Sequence, residues 1–171
     1  MTIETKRLIL RAPRETDAED YLRLRNSEFV LRYNAMVPAT EEKVLRYFSE
    51  RQENTLLLVH KESGCVMGEI CVDEDSLRYG VASKELSYWL GEEYSRQGYM
   101  KEALRAVIRD LFEKEELECV AARCFAPNTA SLALLKSLGF QRDGYIPRCV
   151  KGYGDEIFDD TLHSLFRKDF Q

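Results

Sequence analysis

Between residues 85 and 125 the hydrophobic pattern changes period twice. Glu85 to Leu90 (Glu-Leu-Ser-Tyr-Trp-Leu) reads as a buried strand. Met100, Ala103, Leu104, Val107, Ile108 and Leu111 then recur at the spacing of one helical face, which predicts a helix from Gly98 to about Lys114. Glu118 to Phe125 returns to a strand. Strand, polar turn, helix and strand in this order form a crossover. The usual handedness of such connections sets the two strands parallel, in the middle of a sheet.

The flanking sequence predicts more strands than helices. Arg7 to Arg11 is a short apolar run before Pro13, hence a strand. Thr16 is placed to cap a helix from Asp17 to about Asn26, with Asp17, Glu19 and Asp20 at its positive end and Tyr21, Leu22 and Leu24 inward. Glu28 to Ala39 reads as irregular or partly helical. Thr40 is placed to cap a helix to about Glu53, with Val44, Leu45, Tyr47 and Phe48 inward. Thr55 to His60 and Cys65 to Val72 read as an antiparallel pair around the turn Glu62-Ser63-Gly64, followed by a charged loop, Asp73-Glu74-Asp75. Asn128 is placed to cap a helix that Gly139 ends in the left-handed conformation, with Phe140 folded back near Leu135. Strands at about Gln141 to Val150 and Ile157 to Phe166, joined by Lys151 to Asp155, close the chain. Strands paired across short turns point to an α+β sheet, not a doubly wound one. With no repeat, linker or low-complexity tract, residues 1–171 read as one domain.

Composition narrows the function by exclusion. Hydrophobic content of 44% with 32% charged residues is that of an ordinary soluble globule. No apolar run is long enough to span a bilayer, and the charged start Met-Thr-Ile-Glu-Thr-Lys-Arg lacks a signal-peptide core, so a cytoplasmic location is expected, away from membranes. A net charge of −5 without a basic stripe disfavours nucleic acid and leans mildly toward a cationic substrate. The five cysteines (Cys65, Cys71, Cys119, Cys124, Cys149) form no Cys-x-x-Cys pair and sit in strand-like apolar surroundings. They read as buried reduced thiols, and with only two histidines no metal site is expected.

The turn into the central helix has two readings. A βα turn with one glycine is often only a connector. It is also an anion site in waiting, since the first four N–H groups of a helix lack intrahelical partners and the dipole adds positive charge there. Neither the Gly-Lys-Ser/Thr of a Walker loop nor a Gly-x-Gly-x-x-Gly fingerprint is present.

Four blocks in order decide more than any one of them: Thr5-Lys6-Arg7-Leu8-Ile9-Leu10-Arg11, Glu85 to Leu90, Gly98-Tyr99-Met100-Lys101-Glu102-Ala103-Leu104, and Asn128-Thr129-Ala130-Ser131 through Leu138-Gly139-Phe140. Over essentially its whole length the chain resembles the GCN5-related N-acetyltransferases (GNAT), most closely the ribosomal-protein alanine and serine N-acetyltransferase branch. The resemblance implies acetyl-CoA as donor, with no metal. It implies a mostly antiparallel sheet splayed at its middle, the pantetheine arm bound there to backbone near Trp89 and Leu90. It places the pyrophosphate on the turn Ser95-Arg96-Gln97-Gly98-Tyr99-Met100. Here Ser95 stands where the family has Gln or Arg, and Met100 where it has Gly or Ala. Backbone donors survive both changes, and Arg96 and Lys101 are available to supply charge. Asn128 is expected to contact the cofactor arm as well as cap its helix.

The implied reaction is direct attack of a neutral amine on the thioester. Glu85 is the expected base, since family members often carry a carboxylate in this strand. Many relatives place an acidic Tyr seven residues after the helix-opening Asn; that position is Leu135 here, which leaves Ser131 as the expected donor to the thiolate. An α-amine with pKa of about 7.7–8.0 is about a tenth to a sixth neutral at pH 7, whereas a lysine amine at about 10.4 lies about 4.6 kcal/mol from neutrality. One carboxylate therefore suits a protein or peptide N-terminus better. Glu28 to Met36, Asp73 to Tyr79 and Lys151 to Asp155 are expected to flank the acceptor, with Tyr33, Tyr79 and Tyr153 lining its channel and Asp73, Glu74 and Asp75 attracting a cation. A small amine (polyamine, amino acid or aminoglycoside) is the alternative acceptor, and a non-catalytic acyl-CoA-binding domain a third reading. Monomer and homodimer both remain open.

Overall fold

The computed structural model describes residues 2–171. Its strands are β1 (Thr2–Glu4), β2 (Leu8–Arg11), β3 (Thr55–His60), β4 (Val66–Glu74), β5 (Ser83–Leu90), β6 (Cys119–Phe125), β7 (Gln141–Lys151) and β8 (Ile157–Phe166). They form one eight-stranded sheet in the order β1-β2-β3-β4-β5-β6-β8-β7. Every neighbouring pair is antiparallel except β5 and β6, the parallel pair joined by the crossover helix. The expected mixed, mostly antiparallel α+β sheet is what forms.

Helices cover both faces. On one lie α4 (Tyr99–Lys114) and α5 (Thr129–Ser137), where Leu104, Val107, Ile108 and Leu111 are buried against Leu8, Leu58, Met67, Ile70 and Leu86. On the other lie α1 (Ala18–Arg25), the single turn α2 (Glu28–Leu31) and α3 (Glu41–Glu50), which bury Tyr21, Leu24, Val44 and Phe48 against Leu57, Val59 and Trp89. β3 is apolar at successive positions because successive side chains enter these two cores in turn. α5 ends as its sequence predicts: Gly139 has φ +96°, its N–H donates to the Lys136 carbonyl, and Phe140 N–H donates to the Leu135 carbonyl at 3.1 Å.

Several local expectations change. Thr16 does not cap α1; it lies within a 3₁₀ turn, Glu15–Asp17, that precedes the helix. Asp17 is the reason: its carboxylate accepts from the Arg14 N–H and from both terminal nitrogens of Arg11, closing that turn before α1 begins. Asp73 and Glu74 belong to β4 and not to a loop, opposite Glu85 and Lys84. Not every cysteine is buried: Cys149 is exposed on the edge strand β7 and Cys65 is half-buried. All five are free thiols. Among the described residues no helix is long and apolar enough to cross a membrane.

Candidate active site

The pairing of β5 with β6 stops at Leu86 opposite Ala122. β5 nevertheless runs on to Leu90 and β6 to Phe125. The two strands part, and the β6-facing backbone of Ser87 to Leu90 has no strand partner. A groove of about 400 Å³ opens at this fork. Trp89 and Leu90 line its strand side, Met100 and Lys101 come from the start of α4, Asn128 and Ser131 from the start of α5, and Phe29 and Tyr33 from α2 and the residues after it.

The turn into α4 is built by two left-handed residues, Arg96 with φ +58° and Gly98 with φ +80°. Only glycine adopts the second at little cost. The N–H groups of Tyr99, Met100 and Lys101 in the first helical turn lack intrahelical partners, and the helix dipole adds to their positive character. Arg7 holds the turn from outside the groove. It donates to the Gln97 carbonyl at 3.0 Å and to Glu102 at 2.7 Å, with its guanidinium 4.1 Å from the Tyr99 ring centre. Arg96 and Lys101 form no ion pair among the described residues.

The residues singled out from sequence fall into two sets. Trp89, Leu90, Ser95, Arg96, Gly98, Tyr99, Met100, Lys101, Asn128 and Ser131 all line the groove. Gln97 and Glu85 do not. The Gln97 side chain instead donates to the Glu93 carbonyl at 2.9 Å. Asn128 Oδ1 accepts from the Ser131 N–H at 3.2 Å, which is its capping role, and its NH₂ has no partner among the described residues. Ser131 Oγ meets the Tyr88 hydroxyl at 2.6 Å. Burial pushes the Tyr88 phenol above its ordinary pKa while the Ser131 bond opposes this, so the phenol keeps its proton. No sequence pattern singles out Tyr88. Strand alternation puts it on the α5 side of the sheet, but no spacing in the chain connects positions 88 and 131.

Glu85 lies just before the fork, on the opposite sheet face, alternating with Ser87 and Trp89. Ser87 is exposed although it belongs to an inner strand, so this patch of sheet is uncovered. Glu85 is half-buried and has no hydrogen-bond or ion-pair partner among the described residues. Burial raises its carboxyl pKa; Arg123 counteracts this, and Asp75, Asp160 and Asp73 add to it. Arg123 is itself held by Asp160 at 2.8 Å. The acids expected to draw a cation are neutralised within the chain: Asp73 pairs with Arg51, Glu74 with Lys84, and Asp75 with Arg78 at 2.7 Å. Of the three tyrosines considered for an acceptor channel, Tyr33 lines the groove and packs edge-on to Phe158, whereas Tyr79 is 92% exposed. Tyr153 is 44% exposed. Leu135 is buried in the core beneath α5.

A sheet forked between two central parallel strands, with a helix N-terminus at the mouth of the fork, defines the GNAT acetyltransferase fold. A family model for the acetyltransferase (GNAT) domain matches residues 7–141. The chain belongs to that family and is a GNAT-type N-acetyltransferase. It is 22% identical to the uncharacterized N-acetyltransferase YnaD of Bacillus subtilis, over 99% of each chain. Among solved structures it is similar to the ribosomal-protein-S5-alanine acetyltransferase from Vibrio fischeri (TM-score 0.81, 20% identity, covering 100% of this chain and 99% of that one). It is also similar to Mycobacterium smegmatis RimJ in complex with CoA-disulfide (TM-score 0.84, 19% identity, covering 98% of this chain and 88% of that one).

Proposed function

We propose that this enzyme transfers the acetyl group of acetyl-CoA by direct attack to the α-amine of a protein or peptide N-terminus. The observation that carries the reading is Glu85: a half-buried carboxylate, without a partner among the described residues, beside exposed Ser87, where the sheet begins to fork. The groove fits the donor. Its helix-end N–H groups, with Arg96 and Lys101 free of ion pairs among the described residues, suit a pyrophosphate. The unpaired edge of β5 offers backbone hydrogen bonds to a pantetheine amide, and the free NH₂ of Asn128 offers another.

Acetyl-CoA, when bound, supplies the thioester carbonyl that the amine attacks. Glu85, directly or through one water, takes the proton that the amine sheds, and its raised pKa suits a base working near neutrality. Ser131 donates a hydrogen bond toward the departing sulfur, backed by the Tyr88 hydroxyl. The internal pairing of Asp73, Glu74 and Asp75 leaves little net field for a polyvalent cation, which speaks for an α-amine over a polyamine. The solved ribosomal-protein-S5-alanine acetyltransferase, alike in fold, supports the same class of acceptor. The test is mass spectrometry after incubation with acetyl-CoA and peptides beginning with Ala, Ser or Met, the same peptides with blocked α-amines and free lysines, polyamines and free amino acids. Acetylation confined to free peptide α-amines is expected; acetylation of lysine side chains or small amines alone would overturn the assignment.

A further inference from the structure

A second cavity, of about 230 Å³, lies under α1 and α3 and shares no lining residue with the groove. Its floor is Glu69, on inner strand β4, only 5% exposed. The Glu69 carboxylate accepts from the Tyr21 hydroxyl at 2.9 Å and from the Trp89 indole N–H at 3.1 Å. No Lys, Arg or His stands within ion-pair distance of it among the described residues. A buried carboxylate without a cation is unusual, because desolvation is offset only by a close positive charge and by filled lone pairs. Tyr21 and Tyr47, with ring centroids 6.4 Å apart and planes at 26°, also line this cavity. The lining also carries charge of the opposite sign. Lys43, in the first turn of α3, is exposed and has no ion pair among the described residues. The Arg25 guanidinium is tied to the Val37 carbonyl at 2.8 Å.

We infer that this cavity is a second binding site, for a compact zwitterionic amino acid whose ammonium meets Glu69 and whose carboxylate meets Lys43. A carboxylate on the floor and two cations in the lining, Lys43 and Arg25, leave a simple amine or a simple acid facing like charge; a zwitterion meets charge of both signs. Occupancy reaches the groove through Trp89, which lines the groove while its N–H is held by Glu69. A ligand that draws on the Glu69 carboxylate alters that bond, and acetyl-CoA and the amino acid then change each other's affinity by the same factor. The inference holds whichever amine the groove serves.

Trp89 is the only tryptophan and its N–H is held by Glu69, so its fluorescence reports on the pocket floor through that bond. The experiment titrates the full chain with the free L-amino acids, without acetyl-CoA, and repeats any saturable response by calorimetry. Each amino acid that binds is compared with its decarboxylated amine and its deaminated acid. At least one amino acid is expected to saturate the signal, with both single-charge analogues at least about tenfold weaker. Glu69→Gln and Lys43→Glu should each weaken that binding by a similar factor. Lys43 is on the surface, so its variant tests the idea even if Glu69→Gln folds poorly. No saturable response up to about 10 mM, or unchanged affinity in Lys43→Glu, overturns the site. Acetylation of the bound amino acid, read by mass spectrometry, overturns its separation from the reaction.

Discussion

Arg7 grips Glu102 across 95 residues of sequence: its Nε donates to one carboxylate oxygen at 2.7 Å and its backbone N–H to the other at 2.8 Å. Thr5 adds a hydroxyl bond at 2.6 Å, and the same guanidinium reaches the Gln97 carbonyl. The entry to β2 thereby fastens the first turn of α4, which carries the groove's helix-end N–H groups. Burial pushes the Glu102 carboxyl up, but the bonds from Thr5 and Arg7 outweigh this and hold it below its ordinary value. Glu102→Gln keeps the shape and removes the charge. Because the pair is partly exposed, a loss of about 1–2 kcal/mol is expected, with a rise of about threefold to tenfold in KM for acetyl-CoA. A lowered folded pKa means a contribution present above the unfolded value and lost as pH falls through the folded one. Thermal melts of the two proteins should therefore converge below about pH 4. Equal Tm values at pH 7 would show that the clamp contributes nothing.

Glu85→Gln should lower turnover by about 10²-fold near pH 7 with little change in acetyl-CoA affinity. The carboxylate acts as base only above its burial-raised pKa, so wild-type activity climbs through that range. Above about pH 8 the α-amine loses its own proton and the deficit should narrow. A ratio of mutant to wild-type rate that stays constant with pH removes Glu85 as the base.

Gly98→Pro should weaken acetyl-CoA binding by about tenfold or more, since proline locks φ near −65° where the turn needs +80°. Gly98→Ala is the graded control. Its Cβ would meet Arg7 Nη2 at an ordinary 3.5 Å, so its cost is the left-handed backbone, about 1–2 kcal/mol. Calorimetry with acetyl-CoA reads both, and an unchanged affinity in the proline variant discards the phosphate role of this turn.

Ser131→Ala and Tyr88→Phe should each lower kcat more than they raise either KM, with Ser131→Ala the larger. Their hydroxyls touch at 2.6 Å, so the double mutant should lose less than the product of the two single losses. Strictly multiplicative losses would mean that Tyr88 does not act through Ser131.

Glu69 gives a stability signature of opposite sign to Glu102. Burial raises its pKa, against the hydrogen bonds from Tyr21 and Trp89. Folding therefore favours its protonated form, and stability falls as pH rises from the unfolded carboxylate value through the folded one. Glu69→Gln does not titrate. The Tm of the variant relative to wild type should increase between pH 4 and pH 8. A difference that is flat across this range would mean that Glu69 folds with an unshifted pKa.

Much of this protein was legible in one dimension because its strongest signals are local. The period-2 and period-3.6 runs around residues 85–125 mark the crossover, and Asn128 and Gly139 mark the two ends of α5 through bonds to residues within five positions. Thr16 failed as a cap for the complementary reason: Arg11 recruited Asp17 and closed a different turn first. The acidic run at 73–75 read as a free charged loop because its partners Arg51, Lys84 and Arg78 lie on other segments or across a turn.

By itself the sequence determined the α+β class and the turn that opens α4, since each depends on periodicity, capping or glycine stereochemistry within a short stretch; the groove residues it named came from the resemblance of four ordered blocks to a known family. Only the tertiary structure decided where β5 and β6 part and that Tyr88 backs Ser131. Packing of distant segments also set Glu85 on the uncovered face and left Glu69 buried with no cation paired to it among the described residues. Those are relations between side chains far apart along the chain, set by sheet register and helix packing, and no local pattern encodes them.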